Sequence, residues 1–309
     1  MRENRLQGKS VRVFTDDGLE LNGLFCLPTK ARINRMAILH IHGFNGNFYQ
    51  EKFVDHIADR LTETGHAFLT VNMRGHDYIS YSIRKTDSGL TLLRIGGALD
   101  VLEECIHDIK AWIDFLEAHG YQRVILEGES LGTVKVAIYQ HQTQDKRVQG
   151  VILISPLNHV GLQKCALKDK YDESINVARR MVETGKADEF MPMTYCPLWQ
   201  FPISAKTYVS AFDPNRKNGI FNFNDPNAQF KELSTIKCPI LVTYGTVEEA
   251  VVDNRVEEAL SIVKEKAVSA KRCGTALIQG APHNYLDHEK ELSTLIRNWV
   301  MCGSTKSLR

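Results

Sequence analysis

The sequence lacks a long apolar run and an excess of charge of one sign, and each absence excludes a class of protein. No stretch approaches the roughly 18 to 20 uninterrupted apolar residues that cross a bilayer, which excludes a transmembrane helix. Lys and Arg number 38 against 37 Asp and Glu, so the formal charge of +1 attracts neither nucleic acid nor an anionic membrane surface. The start, MRENRLQGKSVRV, has no apolar segment of a secretory signal. These absences predict a cytoplasmic protein.

Cysteines are odd in number and widely scattered. The seven of them are spread from Cys26 to Cys302, without a C-x-x-C pair and without a repeated spacing to histidine. This pattern predicts free thiols in a reducing compartment and indicates neither a disulfide framework nor a zinc site. The sequence also lacks the G-x-G-x-x-G, P-loop, H-E-x-x-H and EF-hand motifs. We therefore expect no organic cofactor and no metal.

What is present is the patterning of one large globular domain. The 309 residues are 43% hydrophobic, enough to bury a sizeable core. Extended segments at 11–15 and 21–27 flank an Asp-Asp-Gly turn and predict a hairpin. After it, short apolar runs alternate with amphipathic helical segments, which predicts an α/β fold: a mostly parallel central sheet with helices on both faces. The predicted strands after the hairpin lie at 36–42, 67–71, 123–127, 148–155, 240–244 and 275–278.

Residues 156–238 interrupt this alternation and are several times longer than a crossover between strands needs. They include a helical segment at 173–184 and then a run rich in Met, Pro and aromatic residues. Long insertions are usually functional, and aromatic side chains line small-molecule sites. We therefore assign residues 157–235 to a helical cap or lid, and residues 1–156 and 236–309 to the core. The alternative is a structural excursion that packs on the core.

A second stretch without clear periodicity lies at 76–97. We expect it to be irregular and to flank the same opening as the cap.

The strongest local signal is the motif G-E-S-L-G at residues 128–132. It directly follows a predicted strand and directly precedes a predicted helix, which is the context of a nucleophile elbow. Glycines flank the serine because this turn brings neighbouring backbones too close for a Cβ. The context predicts Ser130 as a nucleophile, with the Leu131 amide at the helix N-terminus facing an oxyanion. A tight structural turn is the alternative interpretation.

With this motif the chain resembles the α/β-hydrolase superfamily from about residue 10 to the C-terminus. In that family the strand before the first core helix ends in H-G, as His42-Gly43 does here. The resemblance implies that the backbone N–H of Phe44 is the second oxyanion donor. The run N-M-R-G-H-D at 72–77 is similar to a family turn whose role is mainly structural, with Asn and Asp as departures at its two ends.

The family's chain order is nucleophile, acid, histidine. The loop G-A-P-H at 280–283, between the last strand and the last helix, resembles the family's G-x-x-H loop and implies His283 as the base. The acid departs from the commonest pattern, because G-T-V-E-E-A-V at 245–251 stands where the family has G-x-x-D-x-x-V. Counting three residues from the glycine selects Glu248, and a glutamate can orient the imidazole as an aspartate does. The alternatives are Glu249, Asp253 and Asp287.

The resemblance implies a serine hydrolase that cleaves a carboxylic ester or thioester of a small-molecule acyl substrate through an acyl-enzyme on Ser130. An acyltransferase or cyclase that uses the same acyl-enzyme is one alternative, because a triad does not distinguish water from another acceptor. A catalytically inactive hydrolase-fold binding protein is the other, and the glutamate at the acid position is its only hint. The sequence predicts neither the leaving group nor an oligomeric state.

Overall fold

The computed structural model describes residues 7–30, 35–216 and 218–304, so the first six residues of the chain lie outside it. An eight-stranded sheet in the order β1-β2-β4-β3-β7-β8-β9-β10 organises the fold. The strands are β1 (Lys9–Phe14), β2 (Glu20–Cys26), β3 (Met36–Ile41), β4 (Ala67–Val71), β5 (Ser80–Thr86), β6 (Gly89–Ile95), β7 (Arg123–Glu129), β8 (Val148–Ile154), β9 (Ile240–Val247) and β10 (Cys273–Pro282). β1 and β2 form the predicted hairpin, β2 pairs antiparallel with β4, and the remaining pairs of this sheet are parallel.

Helices cover both faces of the sheet, as predicted, because helices on each side bury apolar faces against the strands. The helices are α1 (Lys52–Glu63), α2 (Cys105–Ala118), α3 (Leu131–Thr143), α4 (His159–Leu167), α5 (Tyr171–Glu183), α6 (Ala205–Phe212), α7 (Lys231–Ser234), α8 (Val256–Lys266) and α9 (Glu289–Ser304). α1 and α9 share one apolar cluster, which contains Phe53 and Ile296. α2, α3 and α8 contribute to a larger cluster that includes Trp112 and Val134. β3 is buried at every position because both of its faces meet helices.

The expectation of an irregular stretch at 76–97 is wrong, because β5 and β6 form a two-stranded antiparallel hairpin there. Thr86 pairs with Gly89 at its tip, and the φ of +120° at Gly89 suits glycine. The inner face lies against the β1–β2 end of the sheet, where Ser82 Oγ donates to the Glu20 carbonyl at 2.5 Å. The side chains of the opposite face point to solvent, so the segment lacks a core-facing apolar pattern in the sequence.

The segment 157–235 is helical, and its described residues contribute no strand to the eight-stranded sheet. It contains α4 to α7, joined by loops. Two of its helices begin at capping side chains: Asn158 accepts from the Gly161 amide at 3.0 Å and Ser204 accepts from the Thr207 amide at 3.3 Å. Its buried side chains join the apolar cluster of the sheet. The segment therefore lies directly on the core.

Candidate active site

Ser130 stands alone between a strand and a helix, since β7 ends at the residue before it and α3 begins at the residue after it. Its backbone has φ +51° and ψ −120°, a conformation that costs an L-residue about 1–3 kcal/mol and clusters at functional sites. A Cβ on Gly128 would lie 2.6 Å from the Gly132 carbonyl oxygen, and one on Gly132 would lie 2.3 Å from the Ile41 oxygen. Both glycines are therefore required for this turn.

A hydrogen-bonded chain joins Ser130, His283 and Glu248. Ser130 Oγ lies 3.0 Å from His283 Nε2, and His283 Nδ1 lies 2.5 Å from Glu248 Oε1. His283 directly follows β10 and Glu248 directly follows β9. Because these strands are parallel neighbours, their carboxyl ends meet at one edge of the sheet. The imidazole therefore faces the serine with one nitrogen and a carboxylate with the other.

The structure brings Glu248 to the imidazole, whereas Glu249 is exposed to solvent. The Glu248 side chain is almost completely buried and accepts from Ser155 Oγ at 2.6 Å and from the Ala250 amide at 2.9 Å. The Glu248 amide donates to Asn254 Oδ1 at 3.0 Å. These partners fix the carboxylate in one orientation toward His283.

Ser155 is a site residue that the sequence reasoning missed. It directly follows β8, is completely buried, and has a φ of +47°. Its hydroxyl also lies 3.1 Å from the Tyr285 hydroxyl. The strained backbone right after a buried strand is visible only in three dimensions. No motif in the sequence marks this serine.

Charge around His283 favours its protonated form. Burial by itself would lower the pKa of the imidazole. The hydrogen bond to Glu248 and the charges of Glu248, Glu129 and Glu249 outweigh burial and raise the pKa of His283 to about 9. The imidazolium is the form that exists after the base has taken a proton, so this surrounding stabilises the state that a general base reaches.

Two backbone amides predicted as oxyanion donors belong to elements that meet at Ser130. The Leu131 amide is in the first turn of α3, where N–H groups have no partner within the helix. Phe44 follows Gly43, and a Cβ on Gly43 would lie only 2.9 Å from Ser130 Cβ. The Gly43 amide donates to Glu129 Oε2 at 2.9 Å. The loop that carries Phe44 is therefore held against the elbow.

His42 fixes the same loop from the side of β4. Its Nδ1 donates to the Gly43 carbonyl at 2.7 Å, and its Nε2 accepts from the Met73 amide at 3.1 Å. Burial holds the pKa of His42 well below its usual range, which agrees with a neutral ring that both donates and accepts. The H-G motif therefore has a definite structural task beside the elbow.

The N-M-R-G-H-D turn has the mainly structural role that the sequence indicates. The guanidinium of Arg74 binds the buried Asp108 carboxylate at 2.7 and 3.0 Å and also reaches Asp17 and Glu104. The two departures also have partners. Asn72 Oδ1 accepts from the Phe48 amide at 3.1 Å, and Asp77 Oδ1 accepts from the Asn47 side-chain amide at 2.8 Å.

Aromatic residues from 191–203 cover the loop of Phe44. The Phe44 ring stacks on Trp199 at 3.9 Å between centroids and lies 5.8 Å from Phe201. Tyr78, which precedes the β5–β6 hairpin, donates from its hydroxyl to the Pro202 carbonyl at 2.8 Å. The Met-, Pro- and aromatic-rich run of the sequence therefore packs directly on the proposed oxyanion loop.

Within the part of the chain that the structure describes, one group of three side chains has its ligand atoms close enough together to hold a metal ion: Asp16, Asp17 and His107. His107 contacts Asp16 there, and Asp17 is bound by Arg74. The six cysteines from Cys26 to Cys273 are free thiols. No helix among the described residues has the length and apolar character needed to cross a bilayer.

Comparison with known proteins places the chain in a family. The profile described as "Protein of unknown function (DUF1749)" matches residues 20–302. No curated protein matches in sequence. Solved structures of the same fold include Est1E from Butyrivibrio proteoclasticus, with 16% identity and a TM-score of 0.63 over 96% of this chain and 99% of that one.

Two further structures extend the likeness. The alpha/beta hydrolase GrgF from Penicillium sp. sh18 has 14% identity and a TM-score of 0.64, over 97% of this chain and 99% of its own. The Pyrococcus furiosus esterase Pf2001 has 15% identity and a TM-score of 0.60, over 97% and 94%. The chain therefore belongs to the DUF1749 family and has the fold of the α/β-hydrolase superfamily.

Proposed function

We propose that this protein is a serine hydrolase that cleaves carboxylic esters of small molecules through an acyl-enzyme on Ser130. The observation that carries the proposal is the hydrogen-bonded chain from Ser130 through His283 to Glu248, at an elbow whose backbone is strained. The names of similar structures agree with ester chemistry, since they include an esterase of Pyrococcus furiosus and a monoacylglycerol lipase of Paleococcus ferrophilus. A thioester would react by the same steps.

Acylation begins when Ser130 Oγ attacks the carbonyl carbon of the substrate. His283 Nε2 takes the hydroxyl proton, and the carbonyl oxygen becomes an oxyanion that accepts from the Leu131 and Phe44 amides. Glu248 keeps Nδ1 protonated and stabilises the imidazolium. The bond to the leaving group then breaks, and the imidazolium gives its proton to the departing alkoxide.

Deacylation repeats these steps with water. His283 takes a proton from a water molecule, whose oxygen attacks the ester carbonyl of the acyl-enzyme. The second oxyanion collapses, the bond to Ser130 Oγ breaks, and Oγ recovers the proton from His283. The products are a carboxylic acid and the free enzyme, so atoms and charge balance without a further reactant.

The segment 157–235 acts as a cap over this site in our proposal. The stack of Trp199 on Phe44 supports it, because it places an aromatic side chain of the segment on the oxyanion loop. Apolar and aromatic surfaces of this kind bind acyl groups with little polar surface. We therefore propose esters whose acyl group is apolar or aromatic as the substrates.

Covalent labelling with a fluorophosphonate probe tests the nucleophile. We expect one adduct in the intact mass of the wild-type protein, none with Ser130→Ala, and slow labelling with His283→Ala. A matched control is Ser82→Ala, because Ser82 lies on β5 and bonds the backbone of β2 instead of the site. An adduct that persists in Ser130→Ala, or a folded wild type that neither labels nor hydrolyses p-nitrophenyl esters, contradicts the proposal.

A further inference from the structure

Glu129 is a buried carboxylate that the reaction steps above do not use. It is the last residue of β7 and is only 7% exposed. One oxygen, Oε2, accepts from the Gly43 amide at 2.9 Å, and the other, Oε1, lies 3.7 Å from His283 Nε2. That nitrogen is the one that faces Ser130. The carboxylate therefore lies between the oxyanion loop and the base.

Several titratable groups face this position. The pKa of Glu129 is raised overall, chiefly by burial and also by the charge of Glu248. The charges of His283 and His40 and the bond from Gly43 act in the opposite direction. Glu51, just before α1, faces the same place: burial and then the charge of Glu129 raise its pKa, whereas the charge of His283 acts to lower it. Glu249 acts on the imidazole from the solvent side. Carboxylates thus surround His283 from β7, from the loop after β9 and from the start of α1.

We propose that Glu129 is a positioning and specificity-determining residue, which stabilises the His283 imidazolium at Nε2 and selects against substrates whose acyl group is anionic. An opposite charge within 4–6 Å favours the charged form of a titratable group, and a like charge is repelled more strongly where water is excluded. The acyl substrates of the site are therefore neutral or cationic esters. This inference rests on the proposed hydrolase function.

The bond to Gly43 gives Glu129 a second, mechanical task. It fixes the residue that precedes the Phe44 amide, so the carboxylate holds the loop while its charge acts on the imidazole. The two tasks separate by substitution. Glu129→Gln removes the charge and keeps an oxygen that accepts from Gly43, whereas Glu129→Ala removes both. Glu249→Gln is the matched control, because Glu249 also acts on His283 but is exposed and screened by solvent.

The experiment compares the pH dependence of kcat/KM for p-nitrophenyl pentanoate and for mono-p-nitrophenyl glutarate, a neutral and an anionic ester of similar length. Removal of an anion makes the imidazole easier to deprotonate, so we expect the acid limb to move about one pH unit lower in both Glu129 variants. In Glu129→Gln we expect the rate on the anionic ester relative to the neutral one to rise about tenfold. Glu249→Gln should show less than a third of either effect.

An unchanged acid limb and an unchanged ratio in Glu129→Gln would overturn the inference, and so would equal effects of Glu249→Gln. The NMR titration of the His283 imidazole, assigned with His283→Ala, requires no turnover. If no ester is hydrolysed and no probe reacts, the proposed hydrolase function fails. An imidazole pKa that stays the same in Glu129→Gln and Glu129→Ala overturns the role of Glu129 by itself.

Discussion

At the residue scale, the site depends on how a glutamate is accommodated where an aspartate is common. The extra methylene gives the carboxylate more rotamers, so its orientation needs more partners. Ser155 Oγ and the Ala250 amide each donate to one of its two oxygens, and Oε1 also receives His283 Nδ1. A carboxylate held in this way orients the imidazole as a shorter acid would.

Glu248 and Glu249 are adjacent in sequence, but Glu248 is buried against His283 and Glu249 is exposed, which predicts different outcomes for the same substitution. Glu248→Gln keeps the shape but removes the charge that stabilises the imidazolium, so we expect kcat/KM for an ester to fall by about 10³ to 10⁴. Glu249→Gln changes only an exposed charge and should cost less than about threefold. Steady-state kinetics on p-nitrophenyl pentanoate checks both. A larger loss from Glu249→Gln than from Glu248→Gln would contradict the assignment of Glu248 as the acid.

The meeting of Ser130, His283 and Glu248 in one hydrogen-bonded chain was predictable, because short motifs mark these residues at the ends of predicted strands. Nothing in the sequence assigned a role to Glu129 or Ser155, because their hydrogen-bond partners lie far away along the chain. The Gly43 amide is 86 residues from Glu129, and Glu248 is 93 residues from Ser155. Such hydrogen bonds depend on how the strands are ordered in the sheet, which periodicity along the chain does not contain.

At the element scale, each strand of the large sheet was predictable from the sequence, because a strand that packs in the core needs apolar side chains at its buried positions. β3, for example, is a short apolar run buried on both faces. The β5–β6 hairpin was missed because several of its apolar side chains face solvent instead of the core. Tyr81, Leu90 and Leu92 of the hairpin are 61–71% exposed, so its apolar pattern does not indicate a core. Its other face contacts the β1–β2 end of the sheet, through Ser82 and through the pairing of Arg84 with Leu19.

A buried ion pair that the sequence did not reveal joins α3 to Asp100. Lys135, in the middle of the helix, is 1% exposed, and its Nζ lies 2.6 Å from Asp100 Oδ2. Lys135→Met leaves the Asp100 carboxylate buried without its cation, and we expect a loss of about 3–5 kcal/mol in the free energy of unfolding. Urea denaturation measures the loss.

Lys135→Met combined with Asp100→Asn provides the control, because the double variant removes both charges. It should recover at least half of the lost stability, since no unpaired charge remains buried. A double variant as unstable as Lys135→Met alone, or a single variant with wild-type stability, would show that the pair does not hold α3.

At the scale of the whole molecule, one apolar cluster extends from the sheet into the segment 157–235. It contains Leu126 and Leu153 of the sheet together with Tyr171, Trp199 and Phe212 of the segment. Residues that share a cluster lose their contacts together. The core and the segment should therefore unfold in one cooperative transition, although the strands and the helices of the segment come from separate parts of the sequence.

Phe212→Ala tests whether this transition is single, because Phe212, the last residue of α6, is 1% exposed and its ring lies against the rings of Trp199 and Tyr208. Truncation of a buried phenylalanine costs about 3–5 kcal/mol, which for a chain of this size lowers the Tm by about 5–10 °C. Differential scanning calorimetry should show one transition in both proteins, with equal calorimetric and van't Hoff enthalpies. An early second transition in Phe212→Ala, with the main one unmoved, would mean that the segment unfolds as a separate unit. In a single transition, every contact of the segment also stabilises the strand ends that hold Ser130, Glu248 and His283.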